Sequence, residues 1–396
     1  MKRMPNHRAA VRFVLAPDKF KGTLTAAEAA AAMAAALRAA WPEAEAVSIP
    51  MADGGEGTLE AILQARGGRR EIAFVEDASG VMGPVEYGVV DGPGGPVAVV
   101  ESARIVGRTA RPVPVLRRTT VGLGRLIAHL RDAGFRRFWI GLGGSLTNDG
   151  GLGLLAGLGA RFRDAAGREL DPAAESLFAL AEVDLAPALE KVADLELSVF
   201  ADVGAPLVGP DGATFVFGPQ KGLPALSLSE VDAAVRRFAE RVCDAPPPCP
   251  GGSEAAIGVP GAGAAGGLGF ALARLGARLL PGADGIAELV GLEAVIAGAH
   301  FVVTGEGQTD RQTLFGKVPA AVARLARLHG RPVFLLSGRI AVGREGLGDR
   351  FAAALATVPP ECAADPPTPA VARSRLEALA YELFSALRAA RTSFGA

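Results

Sequence analysis

Residues 11–40 read VRFVLAPDKFKGTLTAAEAAAAMAAALRAA. The apolar run from Val11 to Ala16 predicts a strand, and Pro17 with the polar residues behind it predicts a loop. The Ala-rich stretch predicts a helix whose start is marked by the capping-box pair Thr25 and Glu28. The same order recurs at once, because Ala46 to Ala52 leads into Asp53-Gly54-Gly55-Glu56-Gly57-Thr58 and a helix through Arg66. Two strand–loop–helix units in succession place the chain in the α/β class.

Working outward, the texture changes near Gly68 to short strands punctuated by Gly and Pro, with Asp91-Gly92-Pro93-Gly94-Gly95 as a hairpin loop. A helix from Val121 to Asp132 and a strand from Arg137 to Leu142 then lead to the loop GGSLTNDGG at 143–151, which opens an apolar helix. A strand from Leu195 to Ala201 precedes a polar loop region that includes Gly218-Pro219-Gln220-Lys221-Gly222. Residues 244–269, dense in Pro, Gly and Ala, read as a loop or linker. Alternation resumes with a strand from His300 to Thr304, the loop 305–310, a helix from Val318 to His329, strands at 332–336 and 352–358, and a closing helix from Val371 to Arg391. With 396 residues, two domains are expected.

With 41 basic and 42 acidic side chains and no basic tract, a nucleic-acid partner is excluded. No run of eighteen apolar residues occurs, so no membrane helix is expected. The first sixteen residues lack a signal-peptide pattern, which points to a soluble protein of the cytoplasm. Cys243, Cys249 and Cys362 show neither zinc-site nor secreted-disulfide spacing and read as reduced thiols.

Only six of the 41 basic residues are lysine, the other 35 being arginine. Four of the six, Lys19, Lys21, Lys221 and Lys317, fall in the Gly-containing loops, with Asn148, Gln220, Gln308 and Gln312. Acids recur at the predicted strand ends as Asp18, Asp53, Asp149, Asp202, Glu306 and Asp310. Such carboxylates ligate Mg²⁺ or accept a hydroxyl proton, lysines meet phosphate as point charges, and glycines let backbone N–H groups approach phosphate oxygens. These are the parts of a phosphoryl-transfer site. For each alone a blander account exists: an Asp before a helix is commonly an N-cap, and glycines after a strand make turns. The four histidines lie outside these loops and receive no chemistry.

No P-loop and no protein-kinase motif is present. A formal dinucleotide fingerprint, Gly261-Ala262-Gly263-Ala264-Ala265-Gly266, follows Pro260 and a Pro-rich segment instead of a strand, so it fails the motif's own structural condition.

The ordered set PDKFKGT at 17–23, MADGGEGT at 51–58, GGSLTNDGG at 143–151, VFGPQKG at 216–222, PGAGAAGG at 260–267 and TGEGQTDRQTLFGK at 304–317 resembles the type-1 glycerate kinases, over about Val11 to Gly338. The resemblance implies two Rossmann- or flavodoxin-like α/β domains, one discontinuous. With the boundary near Gly68 it sets them at 1–70 with 286–396, and at 71–285. It also implies ATP and Mg²⁺ as cofactors and D-glycerate as acceptor, with 2-phosphoglycerate favoured over 3-phosphoglycerate, and leaves a homodimer open. On this reading Asp202, Glu306, Asp310, Lys317 and Lys21 are catalytic, with Asp202 and Glu306 also candidates for Mg²⁺. Gly143, Gly144, Ser145, Thr147, Asn148, Asp149, Gln220, Lys221 and Gly305 bind ATP. Asp18, Lys19, Asp53, Gly54 and Gly55 bind glycerate. The family commonly has Asp-Val-Asp-Asn-Pro-Leu where this chain has Asp202-Val203-Gly204-Ala205-Pro206-Leu207, and often Arg-Ile-Asp-Ser where it has Gln308-Thr309-Asp310-Arg311. Two rival readings are a nucleotide-dependent oxidoreductase using 261–266 and a noncatalytic protein that binds an acidic metabolite.

Overall fold

The computed structural model describes residues 10–202, 204–311, 313, 316–358 and 367–394; Gln312 and Cys362, named above, lie outside them. Strands run in chain order as β1 (Arg12–Leu15), β2 (Glu45–Ser48), β3 (Arg69–Glu76), β4 (Met82–Gly92), β5 (Gly95–Glu101), β6 (Arg137–Leu142), β7 (Arg161–Arg163), β8 (Glu182–Asp184), β9 (Glu196–Ala201), β10 (Arg278–Pro281), β11 (Phe301–Thr309), β12 (Val333–Ile340) and β13 (Ala353–Ala356). The chain divides into two compact units, Met1–Ala52 with Ile286–Ala396, and Asp53–Gly285.

In the first unit the sheet has the order β13-β12-β11-β1-β2, and every neighbouring pair is parallel. From β1 the chain moves to β2 on one side, and from β11 to β12 and β13 on the other. The strand order therefore reverses between β1 and β11, and the carboxyl ends of strands at such a reversal are where open α/β sheets bind ligands. Thr25 makes the expected capping box with Glu28 and starts the helix Ala26–Ala40. That helix packs with the closing helix Pro369–Phe394, and the small side chains Ala29, Ala32 and Ala36 are buried in the core they share. Phe13 on β1 is fully buried, stacked on Phe301 at 5.0 Å between ring centroids and edge-on to Trp41 and Phe384. Burying such a ring contributes roughly 1.5–3 kcal/mol.

In the second unit the sheet order is β10-β9-β6-β5-β4-β3. β5, β6, β9 and β10 pair in parallel, while β3 and β4 extend the sheet as an antiparallel ribbon. The hairpin between β4 and β5 closes with Gly92 opposite Gly95, at the loop expected there. The helix Val121–Asp132 buries Leu123, Leu126, Ile127 and Leu130, an i, i+3, i+4, i+7 stripe.

Four expectations differ from the structure. The first change of unit falls between Ala52 and Asp53 rather than near Gly68, because the helix Thr58–Arg66 packs on β4 and β5 and so belongs to the second unit. Gly218 to Lys221 end the helix Ala213–Lys221 instead of forming a loop, and Gly222 stops it with a left-handed φ of 99°. The segment 244–269 is no linker: it holds the helix Gly252–Ile257 and the start of Ala264–Arg274, with Ile257, Ala262, Leu268 and neighbouring apolar residues in the core. Its glycines serve close approach, since a Cβ at Gly263 would overlap the Pro206 carbonyl and one at Gly266 the Thr147 carbonyl. Lastly, β11 runs to Thr309, so Gly305 and Glu306 lie on a strand paired to β12 rather than in a loop.

Candidate active site

In the first unit the predicted residues gather at the carboxyl ends of β1 and β11. The Asp18 N–H donates to the Gly305 carbonyl at 2.8 Å, tying the 17–23 loop to β11. Asp18 is buried; its Oδ1 accepts from the Lys19 N–H at 2.7 Å and lies 3.9 Å from Lys19 Nζ. Gly307 leaves little room for a side chain, for a Cβ there would stand 3.0 Å from the Lys21 nitrogen and 3.1 Å from Phe20 Cα. The same loop leaves Lys21 exposed.

Glu306 is the buried acid of this cluster, 5% exposed. Its Oε1 accepts from Thr309 Oγ1 at 2.8 Å, and Thr309 Oγ1 lies 3.0 Å from Ser337 Oγ on β12. Burial pushes the carboxyl up to about 7, with the Asp310 charge adding to the rise; hydrogen bonds from Thr309 and Thr313 and the Lys317 ammonium oppose it. Asp310 and Thr313 close a turn on each other, Asp310 N to Thr313 Oγ1 at 3.1 Å and Thr313 N to Asp310 Oδ1 at 3.3 Å. Lys317 occupies the N-cap position of the helix Val318–Leu328. Asp18, Lys19, Lys21, Gly305, Glu306, Asp310 and Lys317 are thus one neighbourhood. Thr309 and Ser337 are members that sequence reasoning missed. Thr309 had a signal in its spacing, three residues past Glu306; Ser337 had none, since only strand pairing brings it there.

In the second unit the loop Asp53–Gly57 lies against the carboxyl ends of β6, β9 and β10. A Cβ at Gly54 would overlap the Phe200 carbonyl, one at Gly282 the Asp53 carbonyl, and one at Gly143 would stand 2.5 Å from Gly55 Cα. Gly54 also needs its left-handed φ of 94°. Asp53 Oδ1 accepts from the Gly55 N–H at 3.2 Å. Behind this loop, Glu101 supplies the acceptor that the helix Thr58–Arg66 lacks, its Oε2 taking the Gly57 and Leu59 N–H groups at 3.2 and 3.1 Å. Sequence reasoning passed over Glu101; an acid ending the apolar run Val97–Val100 was the available signal.

The segment 143–151 is held largely by side chains from other parts of the second unit. Lys221 Nζ donates to Ser145 Oγ at 3.1 Å and to the Thr147 carbonyl at 2.7 Å. Burial lowers this ammonium to about 8, helped by Arg118 and opposed by Asp149. Arg118 Nη1 bonds the Leu146 and Lys221 carbonyls at 2.8 and 3.0 Å. Asn148 Nδ2 donates to Thr214 Oγ1 at 3.0 Å, while Thr147 Oγ1 and Asn148 Oδ1 are buried without a hydrogen-bond partner among the described residues. A polar ligand satisfies groups of that kind.

Asp149, Gln220 and Asp202 sit in surroundings of a different kind. Asp149 is fully buried and already accepts four hydrogen bonds, from Thr120 N, Thr120 Oγ1, Gly151 N and Gly153 N, at 2.7–3.2 Å. It anchors the start of the helix Leu152–Gly157. Gln220 is exposed on a helix, apart from the 143–148 bonds that Lys221 makes. Asp202 is also exposed, its Oδ1 accepting from the Gly204 N–H at 3.1 Å. Among the described residues no three acids, histidines or cysteines cluster as a metal cage. No helix there is long and apolar enough to cross a membrane.

Comparisons with known proteins give the family. A family model described as "Glycerate kinase family" matches residues 13–388. A glycerate kinase of Bacillus subtilis (strain 168) is 37% identical over 399 residues, covering 97% of this chain and 100% of its own. A glycerate 2-kinase of Escherichia coli (strain K12) is 37% identical over 334 residues, covering 83% and 86%. A crystal structure of a glycerate kinase 2 from Salmonella typhimurium LT2 superposes with a TM-score of 0.77 at 34% identity, covering 96% of this chain and 99% of that one.

Proposed function

The chain belongs to the glycerate kinase family, and from that premise we propose that it transfers the γ-phosphoryl group of ATP to the 2-hydroxyl of D-glycerate in the cytoplasm. The observation that carries the reading is Glu306: a buried carboxyl, oriented by Thr309, with its proton affinity raised to about 7 at the carboxyl ends of the two strands where the sheet order reverses. A base near neutrality suits the removal of a hydroxyl proton. As the glycerate oxygen bonds to the γ-phosphorus and the bond to ADP breaks, the hydroxyl proton passes to a Glu306 oxygen. Lys317, whose charge acts on Glu306, and Lys21 balance the phosphoryl and carboxylate charges as compact ammonium groups.

In the second unit, Gly143, Gly144, Ser145, Thr147 and Asn148 form a backbone and hydroxyl cradle for the nucleotide, and the unpartnered Thr147 Oγ1 and Asn148 Oδ1 support that role. Lys221 is a positioning residue, its ammonium committed to Ser145 and Thr147. Mg²⁺ that enters with ATP needs one or two protein carboxylates instead of a cage, which fits the absence of a three-ligand cluster among the described residues. Asp310 would hold it, with exposed Asp202 the alternative ligand, and its chemistry would be to neutralise phosphate charge. Glu306 is given to the proton, because a carboxyl raised by burial favours a proton.

The test is ADP release coupled to a reporter, with and without D-glycerate, followed by phosphorus NMR of the product. Glycerate-dependent ADP release with 2-phosphoglycerate as product is expected. Glycerate-independent release, or tight nicotinamide binding without turnover, would overturn the proposal.

A further inference from the structure

We propose that Cys243 and Cys249 are a reversible modification site, a thiol pair that a hydroperoxide converts to a disulfide. The sequence offered no hint, since the two stand six residues apart around a proline run. Folding brings them together. Cys243 lies in the last turn of the helix Leu228–Asp244, and the Cys249 N–H returns to the Cys243 carbonyl at 2.9 Å. The two sulfurs are 2.6 Å apart, near the bonded distance of about 2 Å. Arg274 holds the intervening turn in this shape, with Nε on the Val242 carbonyl at 3.2 Å and Nη2 on the Ala245 and Pro247 carbonyls at 3.1 and 2.5 Å.

The two thiols differ in access. Cys243 is 1% exposed, whereas Cys249 is partly exposed. Burial, with the hydrogen bond and charge of Cys249, pushes the Cys243 thiol far up, so Cys249 meets the oxidant. Its sulfur takes an oxygen from hydrogen peroxide, giving a sulfenic acid and one water. The Cys243 sulfur then attacks the Cys249 sulfur; the S–S bond forms, the S–O bond breaks, and the second thiol proton leaves with the hydroxide as a second water. Two thiols lose two protons and two electrons, and one peroxide takes them up to become two waters. An added dithiol reverses the change by exchange. The link closes a short loop onto a helix whose Phe238 packs 3.0 Å from the Cβ position of Gly150. The modification therefore braces the helix that backs the 143–151 segment.

Hydrogen peroxide applied to the full-length protein, followed by alkylation under denaturing, non-reducing conditions and peptide mapping, tests the proposal. Cys243 and Cys249 fall in one tryptic peptide, Val242 to Arg274, which is expected to lose two hydrogens, resist alkylation and recover both thiols with dithiothreitol. Melting of the linked protein should rise by a few degrees, as a bridge constrains the unfolded chain. In Cys249→Ser, Cys243 should remain alkylatable after peroxide, and Cys243→Ala gives the reciprocal check if one variant folds poorly. A link through Cys362, irreversible oxidation of Cys249, or two alkylatable thiols after peroxide would each overturn it.

Discussion

The segments 143–151 and 304–317 both meet the carboxyl ends of parallel strands, and both interleave glycines with acids. Their acids serve opposite ends. Asp149 answers four donors and fixes backbone, whereas Glu306 takes side-chain hydrogen bonds from Thr309 and Thr313 and has a proton affinity lifted into the neutral range. The lysines divide in the same way: Lys221 is buried against Ser145 and Thr147, while Lys317 stands half-buried at a helix start. What an acid in such a motif can do depends on what folding places around it, and the two segments show two outcomes in one chain.

The comparison breaks first at Glu306. Glu306→Gln should lower kcat by about a thousandfold, within the range for loss of a general base, and leave melting equal or higher, because a buried acid is replaced by a neutral amide. Near-native turnover would move the proton to another group. The next effect belongs to Asp149. Asp149→Asn leaves backbone donors facing an amide NH₂ and should cost about 3 kcal/mol of stability, a fall of several degrees in melting temperature for a chain of this size. Activity per folded molecule should change far less. If instead Asp149→Asn abolished turnover without affecting melting, the anchoring role would fail.

The smallest effect is in pH. Glu306 must be ionised to accept a proton, so kcat/KM should rise tenfold per unit below about 7. Lys221 must stay protonated to keep its two bonds, so activity should fall as pH climbs through about 8. A narrow bell with those limbs is expected, and the acidic limb should vanish from the residual activity of Glu306→Gln. An acidic limb that survives there belongs to a different group.

The sequence by itself determined the α/β class, most of the regular elements and the neighbourhood of the chemistry. Apolar runs and the loops between them located β1, β6, β9 and the helix Val121–Asp132 to within a residue or so, and the rare lysines marked Lys221 and Lys317. Tertiary structure alone decided which groups were committed. Asp149 and Asp310 look alike as letters, but only the folded chain brings the Thr120 donors to the first. Glu306 gains its proton affinity from burial, and Ser337 joins its neighbourhood through pairing of β11 with β12, 28 residues away from Thr309 in sequence. Glycine-rich 260–267 was legible as special but not as packing, since what each missing Cβ would strike lies in distant loops. Local preference is written within a few residues of each position, whereas desolvation and hydrogen-bond saturation depend on atoms that only the folded chain brings near.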